Sequence, residues 1–497
     1  MFTVAKELQQ MKVKNLIIKR CGIAIEILSP DGPLPEKLVC ELHAHFKYQK
    51  KESEFHDRRR IYTSTDVYLL SDTPNGTLTT SYGMFPSVKR YLQEEGYHLQ
   101  FQDVTPREKN YNLLEPDMSV INNYQLRFGQ RECIDAFINK RHGIICAPVG
   151  FGKTFLISVL IKLYPTARFH ICTKSRAVLQ EIYNRLKLVS NDVGIYCSDM
   201  KITGKRVMCV TAASLGAIEG DAAFFIFDEC HQAAATTYSA AILDKYRFSR
   251  LYGFSATPEG RSDGADAALT FLFGDVIFNM TYDEGVDNGL VVPINVHWLK
   301  CNVADSTSSS WTTDVAKFRH MIWRNRHRNA LIRSYVEELP ADKKVLILVS
   351  SVEHAVYLSS ILPEYTLVYG AMSKDDCEKY RNMGLLPYDY VPLKAKDRKS
   401  LQDDFKDGRI TKVIATDVWS TGVDFPDLEY VVNASGRSSV ITTTQGGGRG
   451  SRLFTGKTSA TVVDIVDCFD GTASSFYRGS LKRKKTYREL GWNNENW

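Results

Sequence analysis

Short apolar runs alternate with helical stretches along most of this chain, and the alternation restricts the fold more than any other feature. The first series extends from about residue 116 to residue 290, and the second begins near residue 294. Each apolar run has the length of one buried strand, and each helical stretch can carry the chain back to a parallel neighbour. We therefore predict an α/β fold with two tandem parallel-sheet lobes.

The residues before the first series follow a different pattern, in which strand-like "NLIIKR" and "GIAIEIL" are combined with helical "LPEKLVCELHAHF" and "FPSVKRYLQEEGY". The chain has 497 residues, more than one hydrophobic core supports, so several domains are expected. We predict a small α+β domain over residues 1–115, a first lobe over 116–293 and a second lobe over 294–497. The polar stretch 304–314 is interpreted as a loop or linker between the lobes, and residues 374–397 as an insertion.

Composition argues against several classes of protein. The net charge of +6 reflects 63 lysines and arginines against 57 acidic residues, which permits a polyanionic partner without demanding one. The 11 cysteines are dispersed without a C-x-x-C pair, which favours reduced thiols over a disulfide framework or a zinc site. No signal-like segment opens the chain, and no run of about 20 apolar residues occurs. We expect a cytoplasmic protein without a spanning helix.

The segment "IICAPVGFGKT" places a glycine-rich loop between an apolar strand and a helical stretch. Backbone N–H groups of such a loop can surround a phosphate chain, because glycine tolerates the required dihedral angles and a helix N-terminus favours negative charge. Lys153 would contact the phosphates and Thr154 would hold Mg²⁺. A glycine-rich turn that only caps a helix is the alternative. The predicted phosphate-binding residues are Pro148, Val149, Gly150, Phe151, Gly152, Lys153 and Thr154.

The segment "AAFFIFDECHQA" ends a buried strand with two carboxylates. Ligands bind at the carboxyl ends of strands in open α/β sheets, and carboxylates there are costly unless a cation or a proton needs them. Asp228 is predicted to coordinate Mg²⁺ and Glu229 to polarise an attacking water molecule. A solvated turn is the alternative. For His231 we favour a coupling role over metal binding, and the later segment "GFSATPEGR" is a weak signal taken alone.

Two arginines follow three glycines in the segment "TTTQGGGRGSR". Arg449 and Arg452 are three positions apart, so on a helix they share one face. An arginine supplied from another lobe can stabilise the charge that develops during phosphoryl transfer. We predict that this pair acts on the phosphates bound by the loop ending at Lys153. A flexible loop with solvated arginines is the alternative.

Taken in order, these segments resemble the motifs of the superfamily 2 helicases. "APVGFGKT" is similar to motif I, "DECH" to motif II in a DEAH-like form, "SAT" to motif III, "ATDVWSTGVDFP" to motif V and "QGGGRGSR" to motif VI. The resemblance implies two RecA-like lobes that hydrolyse ATP between them and step along a nucleic-acid strand. It adds Gln130, Gly422, Asp424 and Gln445 to the ATP-binding residues. The front block is similar to the N-terminal domain of phage UvsW-type helicases, which reanneal DNA and migrate branches.

The resemblance also implies contacts with a nucleic-acid backbone. Hydroxyls and backbone amides at loop tips bind phosphates without reading sequence, although serine and threonine also cap helices. The predicted contacts are Lys174, Ser175, Thr211, Ser350, Thr416 and Asp417. The charge-rich run "KYQKKESEFHDRRR", with Phe46 before it, would suit a branched duplex, and a solvated charged loop explains it equally well. The tail "SLKRKKTYREL" is a further candidate for the DNA path.

The sequence therefore predicts an ATP-dependent DNA helicase or translocase that acts on forked and junction DNA, with ATP and Mg²⁺ as cofactors. An RNA helicase and a translocase subunit of a restriction system are the alternatives within the enzymes. A nucleic-acid-binding clamp switched by ATP, or a nucleotide-binding scaffold, would belong to another class. We expect a monomer in the cytoplasm, which is the cytoplasm of a bacterial host if a phage encodes the chain.

Overall fold

A computed structural model describes residues 14–56, 59–233, 236–256, 266–307, 310–419, 425–437, 448–472 and 474–494. By contacts between residues, the chain divides into two compact units. The first comprises Met1–Glu54, Arg60–Ala147 and Lys153–Asn279. The second comprises Phe55–Arg59, Pro148–Gly152 and Met280–Trp497.

The front of the chain forms a five-stranded sheet with the strand order β5-β6-β2-β1-β7, in which only β1 and β7 are parallel. Helices α1 and α2 supply Leu38, Leu42, Val88 and Leu92 to its core. Gly22 allows this block to pack closely on the first parallel sheet, since a Cβ there would lie 2.1 Å from the backbone oxygen of Arg247. The elements are β1 Lys14–Cys21, β2 Ala24–Leu28, α1 Glu36–His45, β5 Ser71–Asp72, β6 Leu78–Ser81, α2 Phe85–Glu94 and β7 Tyr97–Asp103.

The charge-rich run is not a loop. It forms strands β3 (Lys47–His56) and β4 (Arg59–Tyr68), which pair with each other in a two-stranded sheet of their own. Phe46 is buried in the core of the front block, and Lys47 forms an ion pair with Asp66 at 2.6 Å. Phe46 therefore does not belong to an open aromatic surface, and the charge of the exposed Lys47 is already paired.

The second sheet has eight strands in the order β11-β10-β12-β9-β13-β14-β8-β15, and every pair except β10 with β11 is parallel. Its central strands are buried, as their continuous apolar sequences predict. The strands are β8 His142–Cys146, β9 Phe169–Thr173, β10 Val193–Tyr196, β11 Lys201–Ile202, β12 Val207–Thr211, β13 Phe224–Asp228, β14 Arg250–Ser255 and β15 Val276–Asn279. The helices are α3 Gln130–Asn139, α4 Lys153–Leu163, α5 Arg176–Lys187, α6 Thr236–Lys245 and α7 Asp266–Phe273.

The third sheet has six strands in the order β16-β21-β20-β17-β19-β18, and all of its pairs are parallel. Its strands are β16 Ile294–Cys301, β17 Val345–Leu348, β18 Thr366–Val368, β19 Lys412–Ala415, β20 Tyr430–Asn433 and β21 Ala460–Asp467. The helices of this unit are α8 Tyr282–Asp287, α9 Asp314–Phe318, α10 Arg326–Glu337, α11 Val352–Ile361, α12 Lys374–Asn382, α13 Ala395–Lys406 and α14 Ser475–Glu489.

The two parallel sheets confirm the predicted α/β fold class. The stretch 304–314, predicted to be a loop or a linker, is a loop in its described residues up to the start of helix α9 at Asp314. It does not link the two lobes, because it follows β16 and lies inside the second compact unit. The residues predicted as an insertion contain helix α12 and the start of α13. The boundaries at 115 and 293 stay predictions. Within the described part of the chain, no helix combines the length and the apolar character that crossing a membrane requires.

Candidate nucleotide site and nucleic-acid loops

The glycine-rich loop connects β8 to the N-terminus of α4, as its sequence predicts. Gly150 and Gly152 both have a φ of +97°, a conformation that side-chain-bearing residues rarely adopt, so both positions require glycine. The loop begins at the buried Ala147, whose backbone N–H donates to the carbonyl oxygen of Ser255 at 3.2 Å. Lys153 and Thr154 are half-buried at the first turn of α4. A phosphate chain fits this backbone and charge.

Two carboxylates stand at the end of the neighbouring strand β13. Strands β13, β14 and β8 are adjacent, so Asp228, Ser255 and the loop after Cys146 share one edge of the sheet. Glu229 has a φ of +57° and is the only residue other than glycine with a positive φ among those described. Such a conformation costs about 1 kcal/mol or more, and strain of this kind concentrates at functional sites.

The electrostatic surroundings of Asp228 suit a cation. Burial and the adjacent Glu229 carboxylate raise the pKa of Asp228 to about 7, against the opposing effect of Lys153. A divalent cation would favour the ionised form of Asp228. The hydroxyl of Thr154 and the carboxylate of Asp228 are oxygen donors, which Mg²⁺ prefers, and two protein ligands are usual when substrate phosphates supply others. No group of three or more His, Cys, Asp or Glu side chains suitable for a metal occurs among the described residues.

His231 connects the acidic segment to the end of β14. Its Nδ1 lies 3.2 Å from Ser255 Oγ and 3.3 Å from Glu229 Oε2, and the ring is buried. A displacement of Glu229 or Ser255 would therefore shift His231 and, through it, the other residue. A coupling role needs this geometry. Thr257, which completes the "SAT" segment, lies outside the described residues.

Gln130 occupies the first turn of α3 and is buried. Its Oε1 accepts from the backbone N–H of Arg127 at 3.0 Å, and its own N–H donates to the carbonyl oxygen of Arg127 at 3.1 Å. This reciprocal pair fixes the side chain in place. Its assignment to the adenine side of ATP stays a prediction.

The nucleic-acid residues predicted in the first lobe follow strands β9 and β12, which continue the same edge of the sheet. Lys174 is exposed. Ser175 caps α5, and its Oγ accepts from the backbone N–H of Val178 at 3.5 Å. Thr211 is largely buried, and its Oγ1 donates to Ser214 Oγ at 2.9 Å. Both hydroxyls thus have structural partners already, whereas Lys174 is open to solvent.

Ser350, Thr416 and Asp417 follow the adjacent strands β17 and β19 of the second lobe. Ser350 Oγ accepts from Trp323 Nε1 and donates to the carbonyl oxygen of Ser435, both at 3.2 Å. Thr416 is buried and Asp417 is exposed. The side chain of Asp417 pairs with Arg437, a residue that the sequence did not single out. No motif marks Arg437, so only its position after strand β20 could have drawn attention to it.

The remaining predicted residues lie in the last third of the chain. Gly422, Asp424 and Gln445 fall outside the described residues, and so does the side chain of Arg449. Its backbone belongs to a short 3₁₀ helix, Gly448–Ser451, which the half-buried Arg452 follows. The predicted action of both arginines on a phosphate chain stays a prediction.

Comparison with protein families gives two matches. Residues 123–260 match the type III restriction enzyme res subunit, and residues 327–453 match the helicase conserved C-terminal domain. The first range contains the glycine-rich loop and the Asp228–Glu229 pair, and the second ends one residue after Arg452. The two matches therefore include the glycine-rich loop, the acidic pair and the arginine pair.

Two individual proteins that are similar to this chain in sequence are named as helicases. A protein of the Sulfolobus islandicus filamentous virus (isolate Iceland/Hveragerdi), provisionally named helicase 22, is 23% identical over 442 residues, 82% of this chain and 73% of that protein. The ATP-dependent DNA helicase uvsW of enterobacteria phage T4 is 23% identical over 53% of this chain and 49% of its own length. The solved structure of S. cerevisiae Dbp5 bound to RNA and ADP BeF3 has a TM-score of 0.52 at 14% identity, covering 76% of this chain and 93% of that one. The similarity to Dbp5 shows the fold alone.

Proposed function

We propose that the chain is a superfamily 2 ATP-dependent helicase, a DNA helicase or translocase that unwinds or branch-migrates forked and junction DNA. One observation carries the proposal. Strands β9, β13, β14 and β8 end at one edge of the eight-stranded sheet, and there they present Lys174, Asp228, Ser255 and the loop before Lys153 together. A candidate phosphate-binding loop and a candidate phosphate contact for a strand thus follow strands of the same sheet.

Within this proposal the residues of the nucleotide site have separate roles. The backbone of residues 148–152 and the ammonium group of Lys153 bind the phosphates. Thr154 and Asp228 hold Mg²⁺, which neutralises charge on the phosphate oxygens when bound. Glu229 orients the attacking water and accepts its proton, and the strained backbone fixes the direction of its carboxylate. The remaining proposed ATP contacts are Gln130, Gly422, Asp424 and Gln445, with Arg449 and Arg452 supplied by the second lobe.

DNA is favoured over RNA by two considerations. The phage T4 relative is named as a DNA helicase, and the front block of this chain carries a separate two-stranded sheet on its charge-rich run. Lysines and arginines on such a sheet attract a phosphate backbone whatever its sequence, and a branched duplex offers several backbones at once. An RNA helicase or a restriction-type translocase remains the alternative within the superfamily. A clamp that uses ATP only as a switch is the alternative of another class.

The proposal predicts which polymers accelerate ATP turnover. We expect single-stranded DNA, forked DNA and a four-way junction to raise the turnover rate, with the fork and the junction most effective, and RNA of equal length to have a weaker effect. The measurement is the steady-state release of phosphate against each substrate, paired with strand displacement from the junction and from a simple overhang. Stimulation by RNA alone would reject DNA as the substrate, and turnover without strand separation or translocation would favour the clamp.

The arginine pair has its own test. Replacement of both Arg449 and Arg452 by alanine is expected to lower the stimulated turnover rate by about 10³-fold or more, because an arginine that stabilises the transition state contributes on this scale. ATP binding, followed with a fluorescent nucleotide, should change much less. The matched control is Arg333→Ala on the exposed side of helix α10. An undiminished turnover rate in the double variant would remove these residues from the reaction.

A further inference from the structure

We propose that Arg437 binds a backbone phosphate of the nucleic acid, and that Asp417 positions its guanidinium group for that contact. The inference rests on the proposed function, since it concerns the strand that the second lobe would hold. It replaces the prediction that Asp417 itself contacts the strand. A carboxylate repels a phosphate, whereas a guanidinium group binds it with directed hydrogen bonds.

Arg437 ties together three loops at one edge of the six-stranded sheet. It follows β20, and the next two strands of the sheet, β17 and then β19, lead to Ser350 and Asp417. Its Nη1 lies 2.8 Å from Asp417 Oδ2, and its Nη2 donates to the carbonyl oxygen of Ser350 at 3.2 Å. The carboxyl edge of a parallel sheet is where ligands of α/β proteins bind. Arg437 is therefore central to the loops from which strand contacts were predicted.

The backbone of Arg437 is held by hydrogen bonds to buried residues. Its carbonyl oxygen accepts from Arg483 Nη1 at 3.4 Å, and Arg483 is itself fully buried against Asp464. Its N–H donates to Ser435 Oγ at 3.4 Å. A binding residue held in this way loses little conformational freedom when its ligand arrives, which favours affinity.

The side chains of Arg437 and Asp417, in contrast, are exposed to solvent. Arg437 is 42% exposed and Asp417 is 50% exposed. A guanidinium group has five N–H donors in a planar fork, and the two bonds described above use two of them. The fork can therefore accept a phosphate while Asp417 retains its hold on one side.

An ordinary surface ion pair is the simpler interpretation, and the chain contains one for comparison. Arg409 pairs with Asp404 and Asp407 at 2.6 and 2.8 Å, but these partners are five and two positions away on the same helix end. Arg437 and Asp417 are 20 positions apart and come from two different strands. Exposed pairs contribute little to stability, so a pair assembled from two loops at a ligand-binding edge calls for another reason.

The test measures how the affinity of the protein for a fluorescently labelled single strand of deoxythymidines depends on salt concentration, in the absence of ATP. Arg437→Gln is expected to weaken binding about tenfold and to reduce the slope of log affinity against log salt by about 0.7, the share of one phosphate contact on a single strand. Arg437→Lys keeps the charge and should retain the slope. Asp417→Asn should also retain the slope, with less than a threefold change in affinity.

Arg409→Gln is the matched control, because it removes the same charge from an exposed ion pair in the same unit. It should leave both affinity and slope at the wild-type values. An unchanged slope in Arg437→Gln, or equal losses in Arg437→Gln and Asp417→Asn, would overturn the inference and reduce the pair to a structural contact. If the wild-type chain binds neither the DNA strand nor an RNA strand of equal length, the proposed function fails instead. If Arg437→Gln does not fold, Arg437→Lys becomes the test, and a reduced slope in that variant would contradict the inference.

Discussion

Glu229→Gln is expected to lower ATP turnover by between about 10²-fold and 10⁴-fold, the usual contribution of a general base, while ATP binding stays close to the wild-type value. The substitution keeps the shape of the side chain and removes its negative charge, and with it the ability to accept a proton from water. Glutamine can occupy the same strained position beside Asp228, so the substitution is expected to leave the local fold intact. Turnover and nucleotide affinity should be measured on the same preparation.

The control for this experiment is Glu219→Gln, an exposed carboxylate in the same unit, which should leave turnover unchanged. Strand displacement should fall with turnover in Glu229→Gln, since the proposed motion is driven by hydrolysis. Normal strand displacement by this variant would show that another group activates the water. Loss of ATP binding together with turnover would show instead that Glu229 is needed to build the site.

The nucleotide half of the site could be predicted from the sequence because its chemistry is local. The loop before Lys153 needs glycine at particular positions, and the pair at 228 and 229 follows a run of apolar residues that can only be a buried strand. Parallel sheets then bring these strand ends to one edge, so three separate segments converge without any further information. The α/β fold class was predictable for the same reason, from the alternation of strands and helices.

Other parts could not be predicted because they depend on partners distant in the chain. The run after Phe46 has the composition of a solvated loop, and only pairing of β3 with β4, most of which lies beyond the run, makes it part of a sheet. Arg437 has no motif, and its importance follows from contacts with Ser350 and Asp417. The tail "SLKRKKTYREL" was a candidate for the DNA path because of its charge, yet Arg483 within it is fully buried. A sequence shows charge, but it does not show which charges find a buried partner.

Asp464→Ala is expected to destabilise the second unit by about 3–5 kcal/mol, because it leaves a buried guanidinium group without its carboxylate. Both oxygens of Asp464 accept from Arg483 Nε, at 3.1 and 3.0 Å, and Oδ2 also accepts from the Tyr487 hydroxyl at 2.7 Å. Neither Asp464 nor Arg483 is more than 1% exposed. Burial opposes the charge on Arg483, but Asp464 and Asp467 outweigh it, so the pKa of Arg483 is raised.

Urea unfolding followed by tryptophan fluorescence measures this loss in the correct part of the chain, because all 6 tryptophans lie between Trp298 and Trp497. The control is Glu337→Gln, which breaks an exposed pair with Arg333 and should change the unfolding free energy by about 0.5 kcal/mol or less. The double replacement of Asp464 by leucine and Arg483 by methionine should recover much of the loss, since it removes both charges together. A single variant within about 1 kcal/mol of wild type would mean that water reaches the pair, in contradiction to its burial. Because Arg483 also supports the carbonyl oxygen of Arg437, the same variant should weaken DNA binding even where the chain remains folded.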